Sequence, residues 1–165
     1  MEVSIRNRQR TIKTDLSRIE AVLQAAMCRL TAGGKVRGRN LAAGRSFDPM
    51  KASVGVMLVG DREMRNLNRV YRGRDSTTDV LSFSQLEGAP SPAYTPELGD
   101  IVISPAQASS QAVERGNTLE QEIDLLLIHG LLHLVGYDHE KNRYQEKKMK
   151  AMEKELAGAV KKMVG

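Results

Sequence analysis

The 165-residue chain has few of the side chains that cross-link a protein, bind metals or stack: one cysteine, three histidines and no tryptophan. A single cysteine, Cys28, excludes an internal disulfide and a metal site built of thiolates. Its apolar helical surroundings predict a small buried core residue. Aromatic residues make up only 4% of the chain, which leaves few platforms for stacking bases. Because no run of about 18 apolar residues and no apolar leader occur, we expect a cytoplasmic protein without a membrane partner.

The net charge of +5 is unevenly distributed along the chain. Residues 1–75 contain 16 Lys and Arg against seven Asp and Glu, a net +9, whereas residues 76–165 contain nine against 13, a net −4. A basic half is typical of a protein that holds a polyanion, although an ordinary solvated surface is the alternative. The length suits one domain with its own core, so we predict a single domain over residues 1–165.

The hydrophobic pattern predicts an α/β fold. About four strands and five helices follow in an order that does not fit a regular βαβ repeat, so we expect a small mixed sheet with some antiparallel pairing. Asp61 is predicted to cap an arginine-rich helix. The most apolar helix begins at the capping box of Thr118 and Gln121, runs to about Val135, and should lie at the buried centre. Residues 32–52 lack periodicity and are predicted to form a flexible insertion.

All three histidines lie in HGLLHLVGYDH, residues 129–139. On a helix, the Cβ atoms of His129 and His133 are about 6 Å apart, so both imidazoles can reach one ion. Gly136 can end the helix and let the chain return with His139. Three neutral nitrogens and an open fourth position are typical of a catalytic zinc site, with one ion per chain on these three histidines. A chance pair of core histidines is the alternative.

The sequence resembles a known family at three places. The matching blocks, in order, are NLNRVYRGRD with TDVLSF (residues 66–75 and 78–83), LGDIVIS (98–104) and HGLLHLVGYDH (129–139). Together they resemble the YbeY family of bacterial single-strand-specific endoribonucleases, which are linked to ribosomal RNA maturation. The three blocks span most of the chain. The chain departs from the family's pattern at Thr77 and Ser84, where proline is usual.

The resemblance implies an activity and a set of roles. We expect a zinc-dependent endoribonuclease that acts in 16S rRNA 3′ end maturation and ribosome quality control, with the small ribosomal subunit and its proteins as partners. The resemblance places Arg72 near the cleavage site, with His129 as the other catalytic residue, and arginine can grip a phosphate with two hydrogen bonds. A basic stripe on the arginine-rich helix is typical of a solvated face or of RNA contacts. The RNA contacts that we predict are Arg65, Arg69, Arg72 and Arg74.

A zinc ion on the histidines would lower the pKa of its bound water to about 7, but whether water or the ribose 2′-hydroxyl attacks the phosphate is left open.

Two other functions are weighed against that of an endoribonuclease. Zinc peptidases need a glutamate after the first histidine, and Gly130 stands there, so that mechanism lacks its base. Asp100 could orient a histidine or cap a turn. The remaining alternative is a zinc-stabilised ribosome-assembly factor that binds RNA without cleaving it.

Overall fold

A computed structural model describes residues 1–32, 51–85, 97–138, 140 and 142–165. The described chain forms four strands and five helices: β1 (Glu2–Asn7), α1 (Leu16–Ala32), β2 (Ser53–Leu58), α2 (Asp61–Arg72), β3 (Val80–Ser84), β4 (Glu97–Ile103), α3 (Pro105–Arg115), α4 (Leu119–Leu134) and α5 (Arg143–Met163). The predicted insertion, apart from its two ends, lies outside the described residues. None of the helices described is both long and apolar enough to cross a membrane.

The four strands form one mixed sheet in the order β1-β2-β4-β3. β1, β2 and β4 run parallel to one another, and β3 pairs antiparallel with β4, with Val80 opposite Ile103 and Ser84 opposite Gly99. The predicted α/β fold with a small mixed sheet is therefore confirmed. Among the described strands, β1 and β3 form the two edges of the sheet.

The two faces of the sheet are covered by different helices. On one face, Val56 and Ile101 belong to the main core, to which α1, α3, α4 and α5 contribute. On the other face, Leu81 and Val102 pack with Met64 of α2. Because alternate residues of a strand point to opposite faces, α2 and α4 lie on opposite sides of the sheet. The sheet thus separates the arginine-rich helix from the histidine helix.

The start of α2 differs from the prediction. The N-cap is Gly60, and Asp61 is the first helical residue, without a capping side-chain hydrogen bond. The Asp61 carboxylate instead accepts hydrogen bonds from Ser104 Oγ (3.0 Å) and Gln107 Nε2 (3.2 Å). The predicted cap is wrong because a tertiary contact with the start of α3 takes the carboxylate that would otherwise cap its own helix.

The predicted burial of Cys28 is also wrong, since the residue is exposed. α1 buries Leu23, Met27 and Leu30 on the side that faces the core. Cys28 follows Met27 and is therefore turned about 100° away around the helix. Residues that are adjacent in the sequence, such as Met27 and Cys28, lie on different faces of a helix, so an apolar sequence neighbour does not imply burial.

Candidate metal centre

The helix that carries the histidines is central and rigidly held. Thr118 Oγ1 accepts a hydrogen bond from the Gln121 N–H, and Gln121 Oε1 accepts one from the Thr118 N–H, which confirms the predicted capping box. Leu127 and Leu131 are fully buried. α4 packs against β3, β4 and three other helices. A helix held on so many sides is a firm platform for the side chains at its C-terminal end.

His129 and His133 lie one turn apart near that end, and both are partly buried. Their ring centroids are 4.7 Å apart and their ring planes meet at 72°. The two Nε2 atoms are 3.1 Å apart. Two nitrogens bound to one tetrahedral zinc, each at about 2.1 Å, would be about 3.4 Å apart. The pair therefore fits two ligand positions of a single zinc ion after a small adjustment.

The third predicted ligand, His139, lies outside the described residues. Over the part of the chain that is described, no group of three His, Cys, Asp or Glu side chains could hold a metal ion. The chain does turn back after the histidine pair: Gly136 has a φ of 96° and donates its N–H to the carbonyl oxygen of His133 (3.0 Å). The turn at Gly136 is thus as predicted, and the third ligand stays a prediction.

Glu153 of α5 contacts the first histidine at its other ring nitrogen. Its Oε1 lies 2.6 Å from His129 Nδ1. Because a carboxylate only accepts hydrogen bonds, Nδ1 is the donor in this contact, and in the neutral imidazole Nε2 is then the unprotonated nitrogen on the side of His133. Carboxylates in this position orient metal-binding imidazoles. Sequence reasoning missed Glu153, which directly follows the buried residue Met152 on α5.

Replacing Glu153 by glutamine is expected to weaken zinc binding about 10- to 100-fold, the usual range for partners of metal-binding imidazoles. The neutral amide is a poorer acceptor for the Nδ1 proton. Zinc affinity is measured by competition with a chromophoric chelator. The matched control is Glu155→Gln: Glu155 has the same 29% side-chain exposure, but it pairs with Arg29 at 2.7 Å. Equal affinity in wild type and Glu153→Gln would contradict the orienting role.

Asp100 lies on the far side of the sheet from the histidines. It pairs with Gly55 across β2 and β4. A Cβ atom on Gly55 would be 2.0 Å from Asp100 Oδ1, so this carboxylate lies directly over the glycine. Val54 and Val56, on either side of Gly55, face the main core, so Gly55 and Asp100 face the side of α2. The hypothesis that Asp100 orients a histidine is therefore wrong.

Gly130, between the two histidines, faces the sheet at close range. A Cβ atom there would lie 2.8 Å from Ile101 Cγ2, well inside the optimal separation of about 3.5–4.0 Å between carbon atoms. The absent side chain lets α4 approach β4 closely. A zinc peptidase needs a glutamate at this position. Here the position offers neither the carboxylate nor the space for one.

The arginine-rich helix borders an open groove of about 670 Å³. The lining residues are Arg8, Gly60, Arg62, Glu63, Arg65, Asn66, Arg69 and Asp75. Arg65 forms two hydrogen bonds with the Asp75 carboxylate, at 2.8 and 2.9 Å. These bonds raise the pKa of Arg65 and lower the pKa of Asp75. The charge of Arg65 is thus already compensated within the protein.

The other three predicted RNA contacts form no ion pair in the described part of the chain, although Arg69 is close enough to Asp75 for its charge to help lower the pKa of that carboxyl group. Arg69 donates to the neutral amide oxygen of Asn66 at 2.9 Å. Arg72 and Arg74 are exposed, and neither has a side-chain hydrogen bond or ion pair where the chain is described. Of the four arginines predicted to contact RNA, one is therefore paired with a carboxylate, and three can bind an anion.

The end of α2 and the end of α4 each contact the edge strand β3. The Tyr71 ring of α2 meets the Phe83 ring of β3 with centroids 4.9 Å apart. The next residue, Ser84, donates its hydroxyl to the carbonyl oxygen of Leu134, the last residue of α4, at 3.4 Å. No hydrogen bond or ion pair in the described chain joins Arg72 to a histidine. Through Phe83 and Ser84, β3 links the end of α2 that carries Arg72 with the end of α4 that carries the histidines.

Comparisons with known proteins agree with this architecture. The sequence model of the family described as Endoribonuclease YbeY matches residues 4–161. The Endoribonuclease YbeY of Thermodesulfovibrio yellowstonii is 35% identical over 98% of each chain. The chain belongs to the endoribonuclease YbeY family. The Endoribonuclease YbeY of Symbiobacterium thermophilum is 39% identical, over 96% of this chain and 97% of its own.

A solved structure shares the YbeY-family fold seen here. The solution structure of TM1509 from Thermotoga maritima is 27% identical, with a TM-score of 0.56 over 96% of this chain and 88% of that one. The resemblance drawn from the three sequence blocks is confirmed. The region that matches the YbeY family includes both α2 and α4, so the arginines and the histidine pair lie in the part of the chain that defines the family.

Proposed function

We propose that this chain is a zinc-dependent endoribonuclease that cleaves single-stranded RNA. The proposal includes action in the cytoplasm on the small ribosomal subunit, in 16S rRNA 3′ end maturation and in ribosome quality control. The observation that carries it is the pair of Nε2 atoms of His129 and His133, 3.1 Å apart, with His129 Nδ1 held by Glu153. This is a donor set suited to a metal ion, and membership of an endoribonuclease family supports RNA as the substrate.

The histidines would bind the ion, and Glu153 would orient one of them. His129, His133 and, on this proposal, His139 would bind zinc through neutral imidazoles. When bound, zinc would polarise a phosphoryl oxygen and lower the pKa of its bound water, with the attacking group, water or the ribose 2′-hydroxyl, left to the assay of product ends. Glu153 keeps the proton on His129 Nδ1, so that Nε2 stays available as a donor to the metal. Burial of α4 restricts motion of both imidazoles, which keeps the donor atoms in place.

The arginines are proposed to act on the phosphates. Arg72 would neutralise the negative charge that grows on the scissile phosphate, because its guanidinium is always charged and is not engaged within the described protein. Arg69 and Arg74 would hold neighbouring phosphates. Arg65 would contribute less to RNA binding than these three, since its Nε and Nη2 already donate to Asp75.

Removing the metal is expected to stop cleavage, and restoring zinc is expected to recover it. The assay follows a labelled single-stranded RNA and its matched duplex with native, chelator-treated and zinc-restored protein. Native and restored protein should cut the single strand and leave the duplex intact. The product ends distinguish the two attacking groups, since a cyclic phosphate identifies the ribose 2′-hydroxyl.

Two results would count against this proposal. Cleavage that survives complete chelation, with the zinc content checked by mass spectrometry, would exclude the metal as catalyst. Zinc-loaded protein that binds the single strand without cutting it would favour the assembly factor.

A further inference from the structure

Tyr71 exposes an aromatic ring at the end of α2, in a protein with few aromatic residues. The residue is 64% exposed, and Val70 beside it is 61% exposed. The half-buried Phe83 ring meets the Tyr71 ring edge-on, at 65° between their planes. Such a contact restrains an aromatic ring. The Tyr71 residue nevertheless remains largely open to solvent.

The charges around this ring favour a nucleic acid. Arg72 follows Tyr71 directly, and Arg69 and Arg74 lie two positions before and three after it. None of these guanidinium groups is paired with a carboxylate in the described chain. Proteins bind single-stranded nucleic acids with an open aromatic ring beside cations that form no ion pair: bases stack on the ring, and the cations contact the phosphates.

The position of the ring relates it to the histidines. Phe83, which supports Tyr71, precedes Ser84, and Ser84 contacts the carbonyl oxygen of Leu134 at the end of α4. Among the described strands, β3 forms one of the two edges of the sheet. A strand of RNA that crosses this edge can therefore contact α2 on one face and the end of the histidine helix on the other.

We propose that Tyr71 binds an unpaired nucleobase of the substrate by stacking, and that this contact contributes to the preference for single strands. The inference rests on the proposed function and adds a base-binding residue to it. In a duplex each base is already paired and stacked, so its face is not available to the ring. An unpaired base can leave its neighbours and lie on Tyr71.

The test compares binding of a short labelled single-stranded RNA with binding of versions that lack one base at each position in turn. Chelator is present, so that the RNA stays intact. For wild type, removal of one particular base is expected to weaken binding about 5- to 150-fold, the usual contribution of one stacked base. Tyr71→Phe should keep this loss, because the ring remains, and Tyr71→Leu should abolish it. Tyr144→Leu is the matched control, since Tyr144 is 71% exposed on α5, and it should also keep the loss.

Two outcomes would overturn the inference. The first is a wild-type protein that no base removal weakens, and the second is a Tyr71→Leu protein that still shows the loss. Because the Tyr71 ring is largely exposed, the leucine variant is expected to fold, and circular dichroism checks this. Upfield shifts of the Tyr71 ring protons on addition of RNA to wild type give an independent measure of stacking. Binding is measured without metal, so a failure of cleavage leaves the result of this test unchanged.

Discussion

His133→Ala is expected to lower cleavage of single-stranded RNA at least about a hundredfold, since loss of an outer partner of a metal ligand already costs about 10- to 100-fold. The substitution removes His133 Nε2, which lies 3.1 Å from His129 Nε2. Alanine is the best helix former, and His133 is only partly buried, so the fold is expected to persist. The measurements are zinc content per chain, cleavage of a labelled RNA and circular dichroism, on proteins purified side by side.

The outcomes of this comparison separate the candidate functions. Equal cleavage by wild type and His133→Ala would point to a contaminating nuclease or to a site that needs no metal. Absence of cleavage by both proteins, with RNA still bound, would favour the assembly factor or an enzyme that needs its ribosomal partner. Glu155→Gln serves as the control variant, since Glu155 lies on the same helix as Glu153 and pairs with Arg29 at 2.7 Å.

Arg72→Ala is expected to lower kcat about 10²- to 10³-fold, the usual loss when one donor to a transition-state oxyanion is removed. On this proposal, Arg72 stabilises negative charge that develops on the scissile phosphate only in the transition state. The KM for RNA should therefore change little. Arg72→Lys should recover part of the rate, because lysine restores the charge without the two parallel donors. Steady-state kinetics on a short single-stranded RNA measure both constants.

Lys162→Ala controls for the loss of one positive charge, since Lys162 is exposed near the end of α5. Its kcat and KM should match those of wild type. If Arg72→Ala instead raised KM and reduced the salt dependence of binding while kcat stayed unchanged, Arg72 would be a phosphate contact in the ground state. That result would contradict its role in catalysis.

Features that depend on neighbouring residues could be predicted from the sequence. The capping box at Thr118 involves hydrogen bonds within one turn, and residues three positions apart supply both partners. The approach of His129 and His133 follows from helical spacing alone. The prediction failed at Asp61, where the partner of the carboxylate is Ser104, 43 positions away. Local chemistry cannot show that a distant group competes for the same side chain.

By itself, the sequence determined the three family blocks, the α/β pattern and the histidine pair, because each depends on residues within a turn or a strand. Only the tertiary structure decided that α2 and α4 lie on opposite faces of the sheet. It also decided that Glu153 reaches His129, and that Tyr71 rests against Phe83 at the sheet edge. These contacts join different elements and depend on the strand order β1-β2-β4-β3, which no local pattern encodes.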